Sequence, residues 1–384
     1  MHGYERLRMM RRARAGAIAA TLGAVTAGAA AAWAAREIPA AMGGDPTRGE
    51  RGERMRRSPR YRDGVFHNPP APPRQQPGGL GPGVLRELLF GKQLRHPSRP
   101  IPVVRGMVGD LAADQGLAVT WFGHSTALLE IEGRRLLLDP VWSERCSPSQ
   151  AVGPRRLHQP PLALEQLPRI DAVVISHDHY DHLDMHSVRT LALAQPQLRF
   201  VVPLGVGAHL ERWGVDLDRV DELDWDEQTK IGGLRLVCTP ANHFSGRGFA
   251  NNGTLWSSWA IIGAEHRVFY SGDSGYFGGF AGTGEAHGPF DLSLVQIGAY
   301  SDHWQDIHMT PEEGVSTHLD VRGGLLVPVH WGTFVLGLHD WSEPVERLCA
   351  DAEARGVQFA VPRPGERIEV ARPPKLDHWW RAVV

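Results

Sequence analysis

The chain has 384 residues, 42% of them apolar, and a formal net charge of −2. That length exceeds one small domain and suits one large α/β domain with a tail, and the apolar fraction is enough for a sizeable core. The near-neutral balance excludes a global electrostatic case for nucleic-acid binding. The sparse cysteines Cys146, Cys238 and Cys349 exclude a disulfide framework and a Cys-pair zinc site.

In chain order, a basic flank (Arg6, Arg8, Arg11, Arg12, Arg14) precedes an uncharged, Ala-rich run over 15–35. This is the pattern of a signal peptide or membrane anchor, long enough to span a bilayer although weakly apolar. An anchor would put the arginines in the cytoplasm and the main domain outside. The alternative is a helical tail with no membrane role. Residues 1–42 are therefore read as signal-like or anchoring, giving a membrane-associated or exported protein, with a cytoplasmic one left open. Residues 43–100 are rich in Pro, Arg and Gly, as at Pro69-Pro70-Ala71-Pro72-Pro73, and read as a linker or extended arm wrapped on the domain. A short helix fits 83–92.

The main domain is expected over 101–372, with a tail at 373–384. Apolar β-favouring runs predict strands near 118–122, 126–131, 134–139, 172–176, 199–203, 233–238, 257–262, 266–271, 292–297 and 324–329. Helices fit 184–194, 205–213, 311–319 and 342–355. Early hairpins followed by alternating strands and helices suit an α/β fold of two mixed sheets face to face with helices outside, a four-layer αββα sandwich.

The strongest local signal is Ser176-His177-Asp178-His179-Tyr180-Asp181-His182, directly after the buried-strand run Asp171-Ala172-Val173-Val174-Ile175. A turn there can aim His177 and His179 at one point and Asp181 and His182 at another. Imidazole and carboxylate donors suit Zn²⁺ and tolerate Mn²⁺ or Fe. Further candidates close strand runs: His243 after Val237-Cys238-Thr239, Asp273 in Ser271-Gly272-Asp273-Ser274-Gly275, and His330 after Leu325-Leu326-Val327-Pro328-Val329. Strand ends deliver side chains to the sheet rim, where active sites of layered α/β folds gather.

His-x-His-x-Asp-His followed by His, Asp and His resembles the metallo-β-lactamase superfamily. The resemblance implies two divalent metal ions: one on His177, His179 and His243, the other on Asp181, His182 and His330, with Asp273 bridging. Flanking segments narrow it: Phe122-Gly123-His124-Ser125-Thr126, Leu138-Asp139-Pro140-Val141-Trp142-Ser143, Leu255-Trp256-Ser257-Ser258-Trp259, His308-Met309-Thr310-Pro311 and His330-Trp331-Gly332-Thr333-Phe334. Together these are similar to the N-acylphosphatidylethanolamine-hydrolysing phospholipase D family. That likeness implies a zinc-dependent phosphodiesterase acting at a membrane surface on a phospholipid, yielding phosphatidate and an N-acylethanolamine through a metal-bridging hydroxide.

Asp181, Asp273 and His308 are then the catalytic candidates, His308 as a phosphate-contacting group or leaving-group acid. Tyr300, Trp304 and Trp331 are candidates for lining a lipid cleft, and His124, Asp139 and Thr333 for orienting ligands. His303 and His339 match no role and read as surface histidines. Two other readings stand beside this one: a lactone or carboxyl-ester hydrolase on the same metal site, and a non-catalytic metal-binding envelope protein.

Overall fold

The computed structural model describes residues 37–69, 82–106, 116–248 and 250–384. The apolar run over 15–35 lies outside them. Among the described residues no helix is long and apolar enough to cross a membrane.

A short hairpin, β1 (Tyr61–Arg62) and β2 (Val65–Phe66), precedes two seven-stranded sheets. The first holds β3 (Leu117–Gly123), β4 (Thr126–Ile131), β5 (Arg134–Leu138), β6 (Ala172–Val174), β7 (Arg199–Pro203) and β8 (Val220–Leu223). The second holds β9 (Gln228–Ile231), β10 (Leu234–Thr239), β11 (Ser258–Ile262), β12 (Arg267–Tyr270), β13 (Phe290–Gln296), β14 (Gly323–Val329) and β15 (Gln358–Phe359). The last strand, β16 (Arg367–Glu369), returns to the first sheet and pairs antiparallel with β3.

Why the strands stack as layers follows from their period of two. Leu136 and Leu138 of β5 enter the core shared by both sheets, whereas Leu137 between them joins the core on the outer face. Ala127, Leu129 and Ile131 of β4 face inward in the same way, with Leu128 outward. On that outer face Val188 and Leu191 of the helix Met185–Ala194 pack against Leu137, Val173 and Phe200. Helices Gly279–His287, Pro311–Asp320 and Glu343–Ala354 lie against the second sheet. The molecule is a helix–sheet–sheet–helix sandwich, as the strand pattern leads one to expect.

Local chemistry starts the helices beside the site. Asp184 accepts the amides of His186 and Ser187 and so caps Met185–Ala194. Thr310 and Glu313 form a reciprocal capping box on Pro311–Asp320, with Pro311 in its first turn.

The first and last described segments are docked on the sandwich. In the arm, the helix Gly49–Arg57 buries Met55, and the hairpin buries Phe66 against the main core. Arg51 pairs with Glu222 at 2.7 Å, and the Trp213 indole donates to the carbonyl of Ala40 at 2.7 Å. At the other end, in residues expected as a tail, Trp379 and Trp380 are buried beside Trp331 and Trp341.

Candidate metal centre

The turn after β6 carries the first candidate ligands. Its backbone is held from behind by Asp139, at the end of β5. One Asp139 oxygen accepts the Ser176 amide at 2.7 Å, and the other accepts the Ser176 hydroxyl at 2.5 Å and the Tyr270 hydroxyl. Asp139 Oδ2 also pairs with His182 Nδ1 at 2.6 Å, which leaves His182 Nε2 for the interior of the cluster. Asp139 thus positions a ligand and stands one layer out.

Two groups of donors meet around Asp273. In one, His179 Nδ1 lies 2.8 Å from His177 Nε2 and 3.3 Å from His243 Nε2. In the other, Asp181 Oδ2 lies 3.5 Å from His182 Nε2 and 3.3 Å from His330 Nε2. Asp273 Oδ2 is 3.1 Å from His182 Nε2 and 2.9 Å from His330 Nε2, and 3.9 Å from both His177 and His243. The potential ligand atoms of His177, His179 and His243 all lie within 4.8 Å of one another, as do those of His124, Asp181, His182 and His330. The seven sequence candidates are therefore brought together, with Asp273 between the two groups.

Strand ends bend sharply to do this. His330 has φ 64° directly after β14 and Gly272 has φ 55° just before Asp273. At Gly272 an added Cβ would sit 2.7 Å from both Ser176 Cβ and the Ser257 carbonyl, so a side chain there would push two ligand-bearing segments apart.

Several buried atoms of the cluster make no hydrogen bond: His182 Nε2, His330 Nε2 and Asp273 Oδ1. Leaving such atoms unpaired is costly, and a cation is the partner that satisfies nitrogen and carboxylate donors together. Burial pushes the imidazoles of His177 and His243 well below the ordinary range, so both keep a free lone pair at neutral pH. Burial opposes ionisation of Asp273, yet the charges of His182 and His330 hold its carboxyl well below the usual range. Neutral imidazole and ionised carboxylate are the forms that bind metal. Burial lowers the imidazoles of His182 and His330, but the Asp273 and Asp181 carboxylates raise them further, so both would release a proton on binding a cation.

Other candidates adjoin the cluster, and His308 offers a ring nitrogen within 4.8 Å of the His243 and Asp273 donor atoms. His124 sits behind Asp181, with Nε2 2.8 Å from Asp181 Oδ2, and its own amide donates to Thr333 Oγ1 at 2.6 Å. His308 stands edge-on to His243, with ring centroids 5.2 Å apart, and 5.1 Å from His330. It shares a cleft of about 430 Å³ with Tyr300, Ser301, Asp302, His303 and Gln305. Tyr300 is largely buried and donates its hydroxyl to Glu343 at 2.7 Å. Trp304 donates its indole N–H to the Ala299 carbonyl at 2.7 Å.

Two expectations change. Trp331 packs in the core, 5.5 Å from the stacked ring of Trp121 and among Trp341, Trp379 and Trp380, because the turn after His330 directs it toward the docked C-terminus. His339 is half-buried: its Nε2 accepts the Ala299 amide at 3.0 Å and its ring stacks on Tyr300 at 4.5 Å.

Sequence reasoning passed over the residues that hold the turn. Asp178, between the first two histidines, is buried and accepts from the Gly246 amide at 2.7 Å and the Thr254 hydroxyl at 3.0 Å. The Arg247 guanidinium donates to the carbonyls of Asp178 and Leu183 and lies 4.0 Å from the Tyr180 ring centroid. The acid inside a His-x-His motif was a visible signal for Asp178; nothing in the sequence marked Arg247.

A model of the Beta-lactamase superfamily domain matches residues 134–331, which include every one of these seven candidate ligands. The chain belongs to this superfamily. An uncharacterized protein of Mycobacterium tuberculosis is 51% identical over 368 residues, covering 92% of this chain and 96% of that one. A Caenorhabditis elegans protein named N-acyl-phosphatidylethanolamine-hydrolyzing phospholipase D 1 is 38% identical over 267 residues, covering 66% of this chain and 75% of its own length. Among solved structures, the metallo hydrolase Igni18 of Ignicoccus hospitalis superposes with a TM-score of 0.51 at 22% identity, covering 66% of this chain and 97% of that one. The chain is a metal-dependent hydrolase of the metallo-β-lactamase superfamily.

Proposed function

We propose that this hydrolase is a phospholipase D-type phosphodiesterase that cleaves N-acylphosphatidylethanolamine-like lipids to phosphatidate and N-acylethanolamine. The observation that carries the choice of substrate is the relationship to the C. elegans protein of that name, which spans most of its length. Two donor groups sharing one carboxylate suit two divalent ions, and the N and O donors favour zinc. His177, His179 and His243 would hold one ion, and Asp181, His182 and His330 the other, with Asp273 common to both.

Divalent ions bound there lower the pKa of water toward neutrality and neutralise charge on a phosphoryl group. The chain supplies the rest. His124 and Asp139 orient Asp181 and His182, so that the donors are in place before substrate arrives. His308, on the cleft wall, is the phosphate-contacting residue. Desolvation pushes its imidazole down to about 3, so the ring is neutral at pH 7 and offers an N–H to a non-bridging phosphate oxygen. Ser301, Asp302 and Gln305 give the cleft a polar wall beside the headgroup. The substrate is met at a phospholipid surface, and the apolar run over 15–35 is the segment that would hold the enzyme there.

Mass spectrometry of the products from N-acylphosphatidylethanolamine vesicles, with zinc-loaded wild type and Asp273→Asn, tests the reading. Phosphatidate plus N-acylethanolamine from wild type, lost in the variant, is the expected result. Released fatty acid with the phosphodiester intact would transfer the site to ester hydrolysis. No turnover by zinc-loaded wild type would remove this lipid as the substrate.

A further inference from the structure

Among the described residues, the N-terminal arm reaches the donor cluster at Asn68. The Asn68 carboxamide donates from Nδ2 to the His243 carbonyl at 2.7 Å and accepts the His243 amide on Oδ1 at 2.9 Å. Both backbone polar groups of one candidate ligand are thus taken by a single side chain 175 positions away. Oδ1 also accepts the buried indole of Trp256 at 2.9 Å, which itself donates to the Ala241 carbonyl at 3.0 Å. The β10–β11 ladder ends at the pair Thr239–Ser258, so His243 lies beyond the register that fixes its strand. Its ring is oriented separately, by Nδ1 against the Ile307 carbonyl at 2.8 Å.

Asn68 is delivered by docked chain. Phe66 is fully buried and donates its amide to the Asn252 carbonyl at 2.8 Å, Tyr61 packs edge-on against it, and the Arg60 guanidinium lies 5.1 Å from the Trp225 ring centroid. A second arm contact approaches the same donor group from behind. The Gly44 amide donates to His209 Nδ1 at 3.1 Å, and His209 Nε2 lies 3.1 Å from Asp178 Oδ2, between His177 and His179.

We propose that Asn68 is a positioning residue for the metal site, and that its paired contact with His243, rather than arm docking in general, sets how tightly the His177–His179–His243 group holds its cation. This rests on reading that group as a metal site. Without the carboxamide, His243 loses the partner of its N–H and its carbonyl together. The ligand is then displaced by backbone freedom with its ring bond intact. Removing an outer partner of a metal ligand typically weakens metal binding by about 10–100-fold.

The test uses the full chain as wild type, Asn68→Ala, Asn68→Asp and Arg54→Ala. Arg54 ties the arm to Glu227 and the Glu222 carbonyl without touching Asn68. Zinc affinity is read by chelator competition, and thermal unfolding is followed on EDTA-treated protein. The expected result is zinc held about 10–100-fold more weakly by Asn68→Ala. Asn68→Asp, which keeps the acceptor and loses the donor, weakens zinc as well, whereas Arg54→Ala matches wild type. The unfolding midpoint of EDTA-treated Asn68→Ala stays near that of wild type. Wild-type zinc affinity in Asn68→Ala overturns the inference alone. So does a fall in its EDTA-treated midpoint large enough to account for the lost zinc, which marks a general folding defect. A wild type that binds no zinc overturns the metal reading and this inference with it.

Discussion

The two sheets follow one plan of pairing but contribute differently to the site. In the first, β16, β3, β4 and β5 pair antiparallel and β5 through β8 parallel; in the second, β9 through β12 pair antiparallel and β12 through β15 parallel. Corresponding positions carry the same residue types. His124 follows β3 as His243 follows β10, and Asp139 follows β5 as Asp273 follows β12. Yet His243 and Asp273 enter the donor cluster directly, whereas Asp139 stands behind His182, and His124, whose Nε2 reaches the second donor group, is paired with Asp181. The cause is the turn after β6, which brings four donors of its own and covers the end of β5. The matching connection after β13 instead runs through Tyr300 to His308 and walls a cleft. One architecture thus gives a half that is mostly ligand and a half that combines ligand with cleft, and depth beneath the turn decides whether an Asp or His binds or positions.

Replacing the shared carboxylate should have the largest effect. Asp273→Asn is expected to lower turnover by more than about 100-fold, beyond the range of a residue one layer out, and to lower bound zinc measured by elemental analysis. A variant with full zinc and near-normal turnover would break the assignment of Asp273 to the centre.

His308→Ala separates cleft from ligand in the second half. Turnover should fall about 100-fold with zinc content unchanged, as for loss of one transition-state donor. Loss of zinc in this variant would make His308 a ligand, and unchanged turnover would remove it from the chemistry.

Asp139→Asn sharpens the contrast with Asp273. Zinc affinity by chelator competition should fall about 10–100-fold while saturating zinc restores turnover. Equal, unrescued damage in both Asp variants would erase the distinction between the layers.

The smallest change is at the helix cap that follows the cleft-forming connection after β13. Thr310→Ala should cost about 1 kcal/mol in chemical denaturation, with zinc binding intact. Zinc loss there would mean that the cap also positions the cluster.

The donors were legible because their spacing is local or terminal. Four of them fall within six residues after an apolar run, and the rest close recognisable strands. Helices expected at 184–194 and 311–319 form as Met185–Ala194 and Pro311–Asp320, since Asp184 and Thr310 are visible cap residues. Short edge strands such as β9, β15 and β16 had no comparable signal, because two to four residues carry too little periodicity. The same limit applied to the arm, whose Pro, Arg and Gly content says nothing about which surface Met55, Phe66 and Asn68 meet.

By itself, then, the sequence determined the donor chemistry, the strand-and-helix alternation and the layered class, all properties of residue type and short-range order. Only the tertiary structure decided which Asp stands at the centre and which behind it, that Trp331 belongs to a tryptophan core, and that an arm residue grips His243. Those outcomes depend on contacts between segments far apart in the chain, where the geometry of approach, and not the residue type, selects the role.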